Sequence, residues 1–330
     1  MKYLITGGSG YIGTRLTEEL GSREETELIV DIDVRPPVRP LPKTTFVKGD
    51  VRDSESIRRQ LADNEIDCLI HLAFILNPIR DEGQMYDIDV NGCAAVLDAA
   101  SQAGTEQVMV TSSSTAYGAF PDNPVPIAED WPVRGAPEFA YARDKADADR
   151  VCQLWAAKHP DRTMTIVRPC IVFGPSVDNY LVRSWENAPF FPVLDGVEQE
   201  FQLVHEDDLV DALVGLLDKK AEGAFNVAGD GTMTWSEAAR RAGVKVRSMS
   251  FKTARRISAA TWTLRLPRAE APPGNLRFLR YPWVVSNEKL KAEIGWEPRH
   301  TTEETFAETL RARGIKEQGA AAPPAGAPVA

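Results

Sequence analysis

The sequence predicts an α/β protein, a doubly wound parallel sheet followed by a smaller C-terminal α/β substrate-binding lobe. Three observations predict it. Short β-rich runs alternate with longer helical patterns through the first half. A glycine-rich string stands at the first strand-to-helix turn. After Gly174-Pro175 the alternation weakens, and Pro, Trp and Arg become more frequent.

The elements follow in order. Lys2–Thr6 reads as a strand, and Tyr11–Leu20 as a helix with Ile12, Leu16 and Leu20 on one face. Leu28–Ile32 and Thr45–Lys48 are strands. Ser54–Ala62 is a helix, with Ser54 as its expected N-cap. Cys68–His71 is a buried strand and Met85–Ala103 one long helix. Gln107–Thr111, Ala140–Lys158 and Thr163–Arg168 read as strand, helix and strand. Val204–Leu217 resumes a strand-then-helix pattern, and Ala224–Ala228 is one more strand. The expected organisation is a sheet domain over 1–175 and a lobe over 176–315, with 201–228 partly returning to the sheet. Residues 316–330 form a disordered Ala/Pro tail, too poor in side chains to offset its ordering entropy.

Composition bounds the function. The chain has 330 residues, 43% hydrophobic and 26% charged, enough for a sizeable core. A net charge of −10 argues against binding of nucleic acid by the whole molecule. The stretch from Arg240 to Arg280 is basic, with Glu270 its single acid. It reads as a solvated face or as a site for an anionic substrate. Cys68, Cys93, Cys152 and Cys170 show neither CxxC nor metal-ligand spacing, so no metal is expected and a reducing, cytoplasmic setting fits. No apolar run is long enough to cross a membrane.

TGGSGYIG, Thr6–Gly13, is a dinucleotide-binding fingerprint in its proper context, which makes the sheet Rossmann-type. Gly7 permits the turn, Gly10 lets backbone approach a pyrophosphate, and Gly13 lets the helix pack close to the strand. The helix N-terminus offers free N–H groups to phosphate. Asp31 and Asp33 are candidates for the ribose-binding acid, and Asp33, at the strand tip, is better placed. A carboxylate there favours NAD over NADP, although Arg35 nearby is able to accept a 2′-phosphate. Asp50 and Val51 end the third strand and are candidates to contact adenine; Asp50 alternatively only caps a turn.

Tyr141 and Lys145 lie four apart on a helix and face one way. A lysine ammonium beside a phenol, together with a positive nicotinamide ring, favours the phenolate, so Tyr141 is expected to have a lowered pKa and to act as base. TSSSTAYG, Thr111–Gly118, puts hydroxyls at the carboxyl edge of the sheet, where one can stabilise developing charge.

These strings, together with KGDVRD (Lys48–Asp53), HLAF (His71–Phe74), DVNG (Asp89–Gly92), YARDK (Tyr141–Lys145), RPCIVFGP (Arg168–Pro175) and HEDDL (His205–Leu209), resemble the NAD-dependent epimerase/dehydratase family. That family is the extended branch of the short-chain dehydrogenase/reductases and includes UDP-glucose 4-epimerase. The resemblance covers roughly residues 1–210. It implies Tyr141 as base, Lys145 as its partner and Ser113 as the catalytic hydroxyl, with Ser112 and Ser114 as neighbours. It also implies Tyr11 and Ile12 on the pyrophosphate, Leu72, Ala73 and Phe74 along the middle of NAD with Asn91 nearby, and Cys170 and Ile171 near the nicotinamide. Ser113, Ser114, Tyr141, Asn179, Arg183 and Arg280 are the candidate substrate residues.

Two departures bear on the substrate. The phosphate-binding arginine of UDP-glucose 4-epimerases is missing from Phe201-Gln202-Leu203-Val204, and Leu76 stands where a lysine is common. Ser114-Thr115 replace the Asp-Glu of the dehydratases. The reading is therefore an epimerase of a nucleotide sugar working through a transient ketone. The alternatives are a dehydrogenase or reductase with net redox change on a small ketone, sterol-like or sugar substrate, and a non-catalytic NAD-binding regulator. A homodimer through Met85–Ala103 and Ala140–Lys158 is expected. His205 reads as a lobe anchor, His71 as structural, and His159 and His300 as surface residues. Trp262, Leu264 and Leu266 read as amphipathic packing or as a cover for a hydrophobic substrate.

Overall fold

The computed structural model describes residues 1–187, 190–266 and 271–318. The elements are β1 (Lys2–Thr6), α1 (Tyr11–Ser22), β2 (Leu28–Asp33), β3 (Thr44–Lys48), α2 (Ser54–Asp63), β4 (Cys68–His71), α3 (Glu82–Tyr86), α4 (Gly92–Ala103), β5 (Gln107–Thr111), α5 (Ala140–Lys158) and β6 (Thr163–Pro169). Then come β7 (Ile171–Phe173), α6 (Tyr180–Asn187), β8 (Phe191–Leu194), β9 (Glu200–Phe201), β10 (Leu203–His205), α7 (Glu206–Asp218) and β11 (Gly223–Val227). The chain continues through β12 (Met233–Thr234), α8 (Trp235–Arg241), β13 (Val246–Met249), α9 (Phe251–Thr263), α10 (Glu288–Ile294) and α11 (Thr302–Ala312).

Seven strands form one parallel sheet in the order β11-β6-β5-β4-β1-β2-β3. The order reverses beside β1, where an open α/β sheet leaves its ligand crevice. Period-two alternation divides the core between the two faces. Tyr3, Ile5, Cys68, Ile70 and Met109 face one cluster with Leu16 and Leu20 of α1 and Leu209, Leu213 and Leu216 of α7. Leu4, Leu69, Val108 and Val110 face the other, with Ile57 and Leu61 of α2, Val96 and Leu97 of α4 and Trp155 of α5. Each fully buried Leu or Ile contributes about 1.5–3 kcal/mol, so the two faces hold the sheet far more firmly than any surface ion pair. β11, at residues 223–227, joins the sheet edge beside β6.

The lobe is built differently. Its strands pair in short two-stranded ribbons, β10-β7, β12-β9 and β13-β8. Its core is aromatic, with Phe173, Phe201, Trp235, Phe278, Trp283 and Phe306. Phe201 stacks on Trp235 with ring centroids 4.0 Å apart.

Three expectations need correction. Asp53, not Ser54, caps α2, accepting the Ser56 N–H at 3.0 Å. The expected single helix over Met85–Ala103 is interrupted by a π-helical turn at Asp87–Asn91, which separates α3 from α4. The expected tail is held at its start: Gln318 N–H donates to the Arg241 carbonyl at 2.8 Å, and Glu317 bonds Arg241 Nε at 2.6 Å. The rest of that tail, from 319 on, lies outside the described residues. Among the described residues no helix is long and apolar enough to cross a membrane.

Candidate active site

β1 delivers the glycine string to the sheet edge. Gly7 has φ +78°, and a Cβ there would stand 2.8 Å from the Ala73 backbone nitrogen. A Cβ on Gly13 would stand 2.0 Å from the Gly7 carbonyl oxygen. Side chains at these positions would break the contact between loop and helix. Gly10 is the N-cap of α1, with no side-chain cap and no acidic residue in the first turn. The first N–H groups are thus left for an anion, which fits a pyrophosphate. The cradle is one that a dinucleotide requires.

The two aspartates of β2 divide their work. Asp31 is fully buried under the loop, and Ser9 Oγ donates to it at 2.6 Å. Burial pushes its pKa up, while the Ser9 hydrogen bond and the Gly8 and Ser9 N–H groups pull it down. It fixes the loop. Asp33 stands at the strand tip, half-buried, and its carboxylate accepts a local N–H from Arg35 at 3.1 Å. Asp50 is committed to Arg52 at 2.6 Å, and Arg52 also reaches Asp87 at 2.8 Å. Asn91 is exposed and donates to Asp87 at 3.0 Å, so it belongs to this outer group. Val51 is buried beneath Gly92. Leu72, Ala73 and Phe74 follow β4 at the sheet edge, and Cys170 and Ile171 follow β6.

The reacting centre is assembled by β5, the turn after it, and α5. Ser113 caps a 3-10 turn over Ser114–Tyr117. Its Oγ accepts the Thr115 N–H at 3.2 Å and the Thr115 hydroxyl at 2.9 Å. With both lone pairs used, Ser113 has its own O–H left to donate. Ser113 lies near enough to the Tyr141 phenol to pull its pKa down. One turn along α5, Lys145 donates to the Thr111 carbonyl at 2.8 Å and lies 3.1 Å from the centre of the Phe74 ring.

Without a nicotinamide ring, burial dominates the electrostatics of the centre. Burial pushes the Tyr141 phenol well above its ordinary range, and the Ser113 hydrogen bond offsets only part of this. Burial also takes Lys145 down, to about 7. Its Nζ is 6.0 Å from the Tyr141 ring centre, too far to override desolvation. The chain's own residues hold Tyr141 as a phenol that donates or receives a proton only with further positive charge nearby.

Asp89 was missed in the sequence, where it is one letter in DVNG. The π turn aims it inward, to 1% exposure, and leaves Asn91 outside. Its Oδ1 accepts the Ile75 N–H at 2.9 Å, and Oδ2 has no partner. Burial raises its pKa to about 7, and its charge acts on Lys145 and Tyr141. An inserted residue in a helix is the sort of local signal that hydrophobic periodicity does not carry. Tyr180, also buried, lies close enough for its phenol to feel that of Tyr141.

The remaining expected substrate residues are largely committed. Asn179 is buried, and its Oδ1 accepts the N–H groups of Leu181 and Val182 at the start of α6. Arg183 meets Asp178 at 3.2 Å, and Arg280 pairs with Asp195. Ser114 Oγ is buried without a partner. Tyr11 donates its hydroxyl to Glu206. His71 bonds Thr6 at 2.6 Å, and all four cysteines are free and buried. His159 and His300 are half-buried, not surface residues; His159 packs on Trp155 and His300 on His205. In α9 only Ala254 is buried, so Leu264 and Leu266, 68% and 46% exposed, do not pack as expected. Trp262 instead lies under Arg80, 4.3 Å away.

A nucleotide loop joined to a Ser-Tyr-Lys centre defines a short-chain dehydrogenase-type enzyme. The model of the NAD dependent epimerase/dehydratase family matches residues 3–228, and the chain belongs to that family. An uncharacterized protein of Mycobacterium tuberculosis (strain ATCC 25618 / H37Rv) is 27% identical over 322 residues, 94% of this chain and 84% of the relative. The UDP-glucose 4-epimerase of Lactobacillus helveticus is 30% identical over 182 residues, which is 54% of each chain. Among solved structures, the dTDP-glucose 4,6-dehydratase DesIV of Streptomyces venezuelae, crystallised with NAD, matches with TM-score 0.72 and 21% identity over 95% of this chain and 97% of its own. The UDP-glucose 4-epimerase of Thermotoga maritima matches with TM-score 0.71 and 17% identity over 95% and 99%.

Proposed function

We propose that this enzyme holds NAD and epimerises a nucleotide sugar through a transient ketone. The observation that carries the reading is Ser113, its acceptor sites filled by Thr115, which leaves its O–H to donate beside the Tyr141 phenol. Bound NAD supplies the hydride acceptor and a positive ring. Tyr141 takes the proton of a sugar hydroxyl, Ser113 donates to the same oxygen, and Lys145 holds positive charge one helical turn away. Tyr141 would give the proton back to the carbonyl oxygen as the hydride returns to the opposite face of the carbonyl carbon, which would close the cycle without net oxidation. Hydroxyls at 114 and 115 leave no acid beside Ser113 to eliminate water, which favours epimerisation over dehydration. Asp33 would bind the ribose hydroxyls of NAD.

The test is mass spectrometry of nucleotide released from freshly purified protein, with conversion of UDP-glucose followed without added cofactor. Stoichiometric NAD and interconversion of UDP-glucose and UDP-galactose are expected. An empty protein that consumes added NAD or NADP overturns the reading in favour of a net oxidoreductase. One observation favours that second reading: Phe201, where the phosphate-binding arginine would stand, is buried against Trp235, and Arg183 and Arg280 already face acids.

A further inference from the structure

We infer that His205, His300 and Glu308 form a binding site for one zinc ion, outside the Tyr141 centre. Three elements meet there. His205 ends β10, His300 precedes α11, and Glu308 lies on α11. Their ligand atoms all lie within 4.8 Å of one another. His205 Nε2 is 3.5 Å and His300 Nε2 3.9 Å from Glu308 Oε2. Tetrahedral zinc with bonds of about 2.0–2.1 Å needs ligand-to-ligand edges of about 3.4 Å, so small side-chain shifts close the site.

The second observation is an orphan. His205 is 2% exposed, and its Nε2 is buried with no hydrogen-bond partner among the described residues, turned toward Glu308. A buried polar nitrogen left so is costly unless something ligates it. The His300 ring has a carboxylate behind it, as zinc-bound histidines do. Asp208 Oδ2 stands 3.0 Å from His300 Nδ1, which fixes the proton on Nδ1 and leaves the Nε2 lone pair facing Glu308. His205 Nδ1 accepts the Asp207 N–H at 3.2 Å, with Asp207 Oδ2 at 3.8 Å. On zinc binding the His205 proton moves from Nε2 to Nδ1, where the Asp207 carboxylate accepts it in place of the cap bond. Two imidazoles and a carboxylate suit zinc over calcium or magnesium, which prefer oxygen ligands. Glu308 and His300, 37% and 29% exposed, give the ion its entry, and water fills the fourth position. The bound ion would pin α11 to the N-terminus of α7.

The full-length protein is stripped with a chelator and titrated with Zn2+ alone by calorimetry, and with Co2+ by visible absorption. One equivalent should bind, and Co2+ should give the intense bands of a four-coordinate site. His300→Gln and Glu308→Gln should each weaken binding by about tenfold or more. His159→Gln, a histidine elsewhere in the fold, should bind as wild type does. Circular dichroism establishes that each variant is folded before titration. Absence of stoichiometric binding to the wild type, or unchanged affinity in both ligand variants, overturns the site. A weak six-coordinate Co2+ spectrum overturns the proposed ligand set.

Discussion

The nucleotide end and the C-terminal lobe solve opposite problems. At the nucleotide end, function comes from missing side chains, since Gly7 and Gly13 work because no Cβ fits there. In the lobe the packing comes from large ones. Phe191 and Phe201 flank Trp235 with centroids 5.9 and 4.0 Å away, and Trp235 Nε1 donates to the Phe278 carbonyl at 3.2 Å. A backbone cradle accepts one ligand shape and writes itself in the sequence as spaced glycines. An aromatic core accepts many sequences, so the lobe's residues say little about what it binds.

That contrast can be broken at several points. Gly13→Val should abolish cofactor binding while leaving the lobe folded, because the clash is with backbone that cannot move aside. Calorimetric titration with NAD checks it, and retained affinity would mean that the loop yields. Tyr141→Phe should keep NAD binding and lower turnover by about 10²–10⁴-fold, the usual worth of a positioned acid–base group. Steady-state rates with bound cofactor quantified decide the matter. Trp235→Ala should cost about 3–5 kcal/mol in stability, as large buried aromatics do. Urea denaturation followed by far-UV circular dichroism measures this, and a loss below about 1 kcal/mol would show a lobe able to repack.

The smallest effect sharpens the comparison at the site itself. Asp89 raises the pKa of Lys145, so Asp89→Asn should move the limb of the pH–rate profile due to that lysine to lower pH. Stability gives an independent reading. Folding raises the Asp89 pKa from 3.8 to about 7, so the folded state binds its proton more tightly. Its contribution is fully present below about pH 4 and is lost as pH rises toward 7. Asp89→Asn should flatten the decline in Tm over that window, and an unchanged slope would separate Asp89 from the ionisation.

Much of the sheet was legible. Lys2–Thr6, Cys68–His71, Gln107–Thr111 and the helix Ala140–Lys158 form where their apolar patterns say, because each is bounded by turn residues and packs on a face set by its own period. Tyr141 and Lys145 are candidates readable from their four-residue spacing, whereas Ser113 is singled out among three serines only by the family resemblance. The π turn was not, since an i→i+5 insertion leaves the surrounding apolar pattern intact and only changes which of Asp89 and Asn91 points inward. The stacking of His300 on His205 joins residues distant in sequence, and no local rule brings them together. The raised pKa of Tyr141 is a property of burial, which spacing does not report.

Glu206 has a mechanical consequence. Its carboxylate, 1% exposed, accepts from Tyr11, from Arg15 at 3.2 Å, and from the Ser176 hydroxyl and N–H at 2.8 and 3.2 Å. One group thus knots the first turn of α1 to the loop after β7 and to α7. A phosphate-bearing ligand against that turn meets a wall that gives way only when several bonds open together. Displacing any part of that wall means opening the knot as a unit, not rotating a single side chain.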